Sequence, residues 1–228
     1  MKNIKLVLLA FVLLNVWSCT NGFEETNTNP NAPVDVEPEL LFRKVIYDSG
    51  ERLSYEGFVA GSLLGQYFTA VDFNLFDRHS LSEPQFGGNP WPILYENLRD
   101  NEIVLDKAQS TDRYKVYEGP ALIMKAYLSG ILTDLFGDVP YSSALNGKEG
   151  VILPSYDDQE DIYLAEGGIL DNLLRAIQAI DDYQGVESLK GDIIYNGDLE
   201  QWKKFGNSLR LKYLMRISNV VDVKSEIE

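Results

Sequence analysis

"DLEQWKKFGNSLRLKYLMRIS", residues 198–218, is the stretch that decides the fold class. Asp198 precedes Gln201 by three positions, the spacing of a helix N-cap and its reciprocal partner. Small and apolar side chains then recur at the three- and four-residue steps of one helical face, at Trp202, Phe205, Gly206 and Leu209. A glycine on such a face lets a second helix approach closely. The stretch therefore predicts a helix that is buried against another helix.

The spacing W-x-x-F-G-x-x-L in this helix is similar to the tetratricopeptide pattern W-x-x-L-G-x-x-Y, in which helix pairs stack. Helical periodicity also begins near Pro38, near Trp91 and near Tyr114. In the first of these stretches, the apolar face is expected to include Leu40 and to continue to Phe58. The sequence predicts a mainly α-helical protein of stacked, tetratricopeptide-like helix pairs, with long irregular loops between them.

Glycine, proline and capping residues mark where these helices should begin and end. Gly137 followed by Pro140 is expected to end one helix, and Gly50 is expected to interrupt the first. Asp157 and Glu160 have capping-box spacing, so a further helix should start there. That helix should be kinked or split at "GG", residues 167–168, because glycine costs about 1 kcal/mol in a helix interior. "GDIIYNGD", residues 191–198, is a candidate for a short strand or turn.

The N-terminus has the layout of an export signal. Lys2 and Lys5 precede an apolar run from Leu6 to Leu14, and small or polar residues follow it. The run is too short to cross a bilayer, which takes about 20 apolar residues in a helix. We expect residues 1–18 to be removed as a signal peptide.

Cys19 is the only cysteine of the chain, so it cannot form an internal disulfide. The segment that ends at this cysteine resembles a bacterial lipobox, which predicts lipid attachment at Cys19. The alternative is an incidental cysteine after an ordinary signal. Residues 19–38, which are rich in Asn, Thr and Pro, should form a flexible tether, and residues 39–228 the helical domain.

The charge of the chain excludes one class of partner. The formal net charge is −15, with 35 acidic and 20 basic residues. Phosphate groups would repel such a chain, and no Lys/Arg cluster offsets the field, so nucleic acid is excluded as a partner. Contact with a membrane is expected through the lipid anchor.

Five further stretches follow the lipobox-like segment in order: "NTNPNAP" (27–33), "WPILYENLRDNEIVLDKA" (91–108), "ILTDLFGDVPYSSAL" (131–145), "PSYDDQEDIY" (154–163) and "GDIIYNGDLEQWKKFGNSLRLKYLMRIS" (191–218). Together they resemble the SusD/RagB family of outer-membrane nutrient-binding lipoproteins. The resemblance implies the SusD fold and a lipid anchor that holds the protein on the outer membrane, facing outside. It also implies binding of oligosaccharides or other nutrients, and their delivery to a SusC-type TonB-dependent transporter.

The same resemblance implies neither catalysis nor a cofactor. Family members are mostly longer, so the chain is expected to correspond to an N-terminal portion that is incomplete at its C-terminus. Apolar surface should then be exposed where the remainder would pack. Two other functions stay open: a lipid-anchored glycan hydrolase, which would release reducing sugar, and a helical-repeat scaffold that binds only protein.

Three polar features have structural rather than chemical explanations. His79 is the only histidine and has no partners at metal-ligand or catalytic-triad spacing, so we expect a surface residue. The acidic cluster at residues 157–161 lacks the alternating ligands and central glycine of a calcium loop, and helix capping explains it better. Asp134, near a helix end, is a weaker candidate for ligand contact. No catalytic or metal-ligating residue is predicted.

The loop between residues 72 and 91 is the predicted ligand site. Seven of the 29 residues from Tyr67 to Tyr95 are aromatic, which is about twice the 11% of the whole chain. Sugar rings pack their C–H faces on aromatic rings, and polar side chains bind their hydroxyls. The alternative is that these rings pack the loop onto the helices. The candidate ligand-binding residues are Asp72, Phe73, Phe76, Asp77, Arg78, Phe86, Asn89 and Trp91.

Trp91 is the ambiguous member of this set because it opens a predicted helix, with Asn89 as a possible cap and Pro90 in the first turn. Phe73, Phe76 and Phe86 are expected to be freer of structural roles. Alanine at each of these three positions should weaken ligand binding by about 1 kcal/mol or more, the scale of one aromatic contact, and leave helicity unchanged.

Overall fold

A computed structural model describes residues 35–72, 76–79 and 88–227, and in these ranges α-helices form the framework. The helices are α1 Pro38–Glu56, α2 Ser62–Leu64, α3 Trp91–Ser110, α4 Glu118–Phe136, α5 Gln159–Leu164, α6 Ile169–Asp182, α7 Leu199–Ile217 and α8 Lys224–Ile227. A π-helical turn, Gly57–Gly61, continues α1, and a 3-10 helix, Asp112–Tyr117, precedes α4. An isolated antiparallel bridge joins Val139 and Asp157. The predicted mainly α-helical class is confirmed.

The core of residues 37–228 is centred on α4, which contacts α3, α6 and α7, while α1 packs on α3. Aromatic rings join these layers: the ring centroid of Phe42 lies 5.6 Å from that of Trp202 and 5.7 Å from that of Tyr117. All three side chains are buried. Helix α1 is thereby fixed to α7 and to the segment that leads into α4.

Helix α7 matches its sequence prediction closely. The backbone N–H of Gln201 donates to the Asp198 carboxylate at 3.2 Å, so the predicted cap is confirmed. Trp202 and Leu209 are buried. A Cβ added at Gly206 would lie only 3.1 Å from the side chain of Ile123 on α4. The small residue therefore permits the close helix contact that the spacing predicted.

The predicted helix breaks have mixed outcomes. Gly137 has a φ of 74° directly after α4, so that end is confirmed. The split at residues 167–168 is also confirmed, because α5 ends at Leu164 and α6 begins at Ile169. The break at Gly50 was wrong, since α1 runs through it to Glu56. The segment 191–198 forms turns rather than a strand.

The capping role predicted for Asp157 was wrong. Helix α5 begins two residues later, and the backbone N–H of Gln159 donates to Asp138 at 2.9 Å. The Asp157 carboxylate instead accepts the backbone N–H groups of Tyr141 and Ser142, at 2.8 and 3.0 Å. Asp157 therefore holds the backbone of the segment that follows α4 and does not cap a helix.

The apolar face predicted for α1 is only partly buried. Phe42, Val45 and Ile46 lie in the core, whereas Leu40 and Phe58 are exposed. The π-helical turn explains Phe58, because its wider i→i+5 spacing shifts the face that a 3.6-residue period would predict. Among the described helices, none combines the length and apolar character needed to cross a bilayer.

The predictions for the signal peptide, for lipidation at Cys19 and for residues 20–34 of the tether lie outside the described residues.

Candidate functional site

An apolar cavity of about 570 Å³ lies beside the predicted ligand loop. One wall comes from the end of α1 and the turn after it, a second from the C-terminal end of α4, and a third from the loop. These walls are Leu53, Glu56, Gly57, Ala60, Gly61 and Leu64; Ile131, Leu135 and Phe136; and Phe76, Gly88 and Pro90. The volume falls in the range of small-molecule sites, which are mostly apolar with few polar groups.

Phe76 lines this cavity and is not an exposed ring on which a sugar could stack. Its side chain is only 6% exposed. Gly88, with a φ of 84°, lies against the ring so closely that an added Cβ would be 2.7 Å from a ring carbon. The backbone N–H of Gly88 also donates to the Glu56 carboxylate, which ties the loop to α1. The expectation that Phe76 is free of a structural role was therefore wrong, although its ring lines the cavity.

The polar residues predicted for the loop have different surroundings. The carboxylate of Asp77 accepts the backbone N–H of Ala70 at 2.7 Å and the hydroxyl of Thr69 at 3.0 Å. It therefore holds two parts of the loop together. Asp72, Arg78 and His79 are exposed, as expected for His79. Phe73 and Phe86 lie outside the described residues, so their predicted ligand contacts remain predictions.

Trp91 connects α3 to the end of α4. Its ring centroid lies 5.0 Å from that of Tyr95 and 5.0 Å from that of Phe136, and the ring is half-buried. The hydroxyl of Tyr95 donates to the carbonyl of Pro140 at 2.7 Å, and burial raises the pKa of this phenol well above its usual value. Asn89 does not cap α3: Pro90 occupies the N-cap position, and Asn89 is exposed.

The exposed aromatic rings near the loop are not among the predicted ligand-binding residues. Phe58 is 66% exposed, Tyr67 84% and Phe68 59%. The rings of Phe58 and Phe68 have centroids 6.0 Å apart, so they form one surface. Phe58 belongs to the same π-helical turn as three residues of the cavity wall. We call Phe58, Tyr67 and Phe68 the aromatic surface. Tyr67 and Phe68 lie in the aromatic-rich stretch, which is the sequence signal that could have found them.

Asp134 lies in a second cavity, of about 450 Å³, between α5 and the end of α7. The hydroxyl of Tyr163 donates to its carboxylate at 2.6 Å, and the guanidinium of Arg216 lies 3.2 Å away. Burial, together with this hydrogen bond, raises the pKa of Tyr163 above its usual value. The carboxylate is thus occupied by contacts within the protein. Among the described residues, no three His, Cys, Asp or Glu side chains are placed to hold a metal ion.

A family model matches residues 30–228, and its description is "Starch-binding associating with outer membrane". A comparison with curated proteins found no match.

Solved structures with a similar fold include a chitin-binding protein, 27% identical with a TM-score of 0.64; the match covers 81% of this chain and 40% of that one. A SusD/RagB family protein from Bacteroides thetaiotaomicron is 25% identical, with a TM-score of 0.66 and coverage of 85% and 41%. A SusD homologue from Bacteroides fragilis is 24% identical, with a TM-score of 0.64 and coverage of 83% and 38%, and it supports the fold alone. The chain spans about two fifths of the length of these neighbours.

Proposed function

We propose that this chain, which belongs to the SusD/RagB family, binds an oligosaccharide or another nutrient at the outer membrane and delivers it to a SusC-type TonB-dependent transporter. The family model's description names starch binding and outer-membrane association, and one structural neighbour is a chitin-binding protein. Both support a glycan as the ligand. The proposal includes a signal peptide at residues 1–18, a tether at residues 19–38 and a helical domain at residues 39–228. It also includes a lipid anchor that faces outside.

The observation that carries the proposal is the aromatic surface beside the apolar cavity. Phe58 and Phe68 present neighbouring rings to solvent, which is the arrangement on which the C–H faces of a sugar can pack. Asp72 and Arg78 are exposed polar residues of the same loop and are suited to hydroxyl groups. Loops held on a rigid helical scaffold are common positions for recognition.

Replacing an aromatic ring of this surface should weaken glycan binding. Phe68→Ala should reduce affinity about fivefold, because one aromatic contact contributes about 1 kcal/mol. Phe58→Ala should have a similar effect. Calorimetric titration of the full chain with maltoheptaose and with chitohexaose measures these changes.

Tyr47→Ala is the matched control, since Tyr47 is 61% exposed on α1 and does not line the cavity. Its affinity should equal that of the unaltered protein. Equal affinity in the Phe58 and Phe68 variants as well would move the site away from the aromatic surface. Release of reducing sugar by the unaltered protein would favour the hydrolase alternative.

Lipid attachment at Cys19 is tested by Cys19→Ser. A signal peptide alone leaves no anchor after cleavage, whereas two or more acyl chains hold a protein stably on a membrane. The variant should leave the membrane fraction and appear in the soluble fraction, as measured by fractionation and immunoblotting. The neighbouring Thr20→Ser serves as the control and should remain on the membrane. A membrane-bound Cys19→Ser variant would contradict the anchor.

A further inference from the structure

A third cavity, of about 650 Å³, lies between the 3-10 helix, the start of α4, the end of α6 and the segment that follows α6. Its volume falls in the range of small-molecule sites. It shares no lining residue with the apolar cavity beside the loop, and no ring of the aromatic surface lines it. It is therefore a separate concave surface, to which the proposed function gives no role.

One face of α6 forms a polar wall of this cavity. Its members recur at steps of three and four residues, so they lie in one row along the helix: Arg175, Gln178, Ala179 and Asp182. Arg175, Gln178 and Asp182 are exposed, so their polar atoms can reach a guest in the cavity. The buried residues of α6 lie on its other side, in the core.

The segment after α6 forms a second wall, and contacts within the segment hold it in place. The hydroxyl of Tyr183 donates towards the carbonyl and the carboxylate of Glu187, at 3.1 and 3.0 Å. Gly185 lies inside this closed turn, because an added Cβ there would be 2.5 Å from the Tyr183 hydroxyl oxygen. The wall is thus formed without a ligand, so binding does not have to order it.

The 3-10 helix and the start of α4 complete the cavity. Arg113 and Lys115 are exposed on the 3-10 helix, and the Lys115 Nζ lies 2.7 Å from the Glu118 carboxylate. An ammonium has three donors and a carboxylate several acceptor positions, so this pair still offers hydrogen bonds to a guest. Ala179 and the ring of Tyr183, which are both partly exposed, add apolar surface.

The chemistry of the lining selects the class of guest. The basic side chains are Arg113, Lys115 and Arg175, and the acidic ones are Asp112, Glu118, Asp182 and Glu187. These charges nearly balance, so the cavity favours a neutral guest over a strongly charged one. The amides of Gln178 and Gln184 both donate and accept. Neighbouring hydroxyl groups of a sugar also donate and accept, so a sugar matches this mixture of groups.

We propose that this cavity is a second sugar-binding site, in which Gln178 and Asp182 bind hydroxyl groups and the Tyr183 ring contacts a C–H face. The inference rests on the proposed glycan binding and adds a second contact for the same class of ligand. A glycan long enough to span both sites would bind more tightly than a short one. The competing interpretation is a solvated polar face of α6, which would bind no sugar.

Hydrogen exchange followed by mass spectrometry locates bound sugar on the full chain purified in detergent. Maltoheptaose and chitohexaose are the probes. At least one of them should slow exchange in two separate segments: residues 57–68, at the aromatic surface, and residues 183–187, at the cavity. The double variant Gln178→Ala, Asp182→Ala should lose the protection of residues 183–187 and keep that of residues 57–68. The double variant Phe58→Ala, Phe68→Ala should show the reverse.

Calorimetry measures the size of the effect. In the Phe58→Ala, Phe68→Ala background, adding Gln178→Ala and Asp182→Ala should weaken the remaining affinity at least fivefold, because two hydrogen bonds are lost. Both replaced side chains are exposed and alanine is a good helix former, so the thermal midpoint should not fall. Asp181→Ala is the matched control: Asp181 is exposed on the same helix and does not line the cavity, so affinity should not change.

The outcomes separate this inference from the proposed function. Protection of residues 57–68 alone overturns the second site and leaves glycan binding intact. Protection of residues 183–187 that survives Gln178→Ala, Asp182→Ala also overturns it, because the sugar would then not be bound by these side chains. If neither probe binds or slows exchange anywhere in the chain, both the second site and glycan binding are rejected.

Discussion

Asp192→Ala should lower the free energy of unfolding by at least about 3 kcal/mol. The carboxylate is buried and accepts four hydrogen bonds. The donors are the backbone N–H groups of Ile194, Tyr195 and Gly197, at 2.9, 3.2 and 2.8 Å, and the indole N–H of Trp202, at 2.9 Å. Hydrogen bonds to a charged group contribute about 1.5–3 kcal/mol each, and donors left unpaired in the interior add a desolvation cost.

The hydrogen bond from the Trp202 indole to Asp192 is the one whose loss the protein can least compensate. The backbone donors of the turn can relax towards water, but Trp202 on α7 is fully buried, and its ring packs on Phe42 of α1. Asp192→Asn keeps one acceptor oxygen for two of the four donors, but its NH2 group faces the other two, so this variant should also lower the free energy of unfolding. Denaturant titration followed by tryptophan fluorescence measures both. A loss below about 1 kcal/mol for Asp192→Ala would show that the turn is not held by this carboxylate.

The helical framework could be predicted from sequence because its determinants are local. The Asp198 cap and the face containing Trp202 and Leu209 are encoded within twelve residues, and the structure contains both. Gly50 misled because its helix-propensity cost of about 1 kcal/mol is smaller than what α1 gains by burying Phe42 and Val45. Asp157 misled because its partners, Tyr141 and Ser142, are more than a dozen positions earlier in the chain.

The sequence could show that the loop is rich in aromatic residues, but it could not show which of their rings are exposed and which are buried. Its aromatic content is a property of composition, whereas the burial of Phe76 depends on Gly88 and on the tie to Glu56, which is 32 positions away. The exposure of Phe58 depends on a π-helical turn, which no residue pattern in the sequence predicts.

The turn that contains Asp192 also packs against the start of α1, and this matters for the site because α1 ends in the wall of the apolar cavity. Gly191 has a φ of 81° and lies against the first turn of α1. A Cβ at this position would meet the backbone carbonyl oxygen of Glu39 and would lie 2.9 Å from the carbonyl carbon. The obstacle is backbone, so no side-chain rotation can relieve it.

Gly191→Ala should therefore lower the free energy of unfolding by about 3 kcal/mol or more. A non-glycine residue in the left-handed region costs about 1–2 kcal/mol, and displacement of packed backbone adds an overpacking cost of similar size. Gly147→Ala is the matched control, because Gly147 has no positive φ and an added Cβ there meets no atom within 4 Å. Its stability should change by less than about 0.5 kcal/mol. If Gly191→Ala were equally harmless, the start of α1 would have room to move. Helix α1 would then be held in place by its packing on α3 and by the Phe42 contacts.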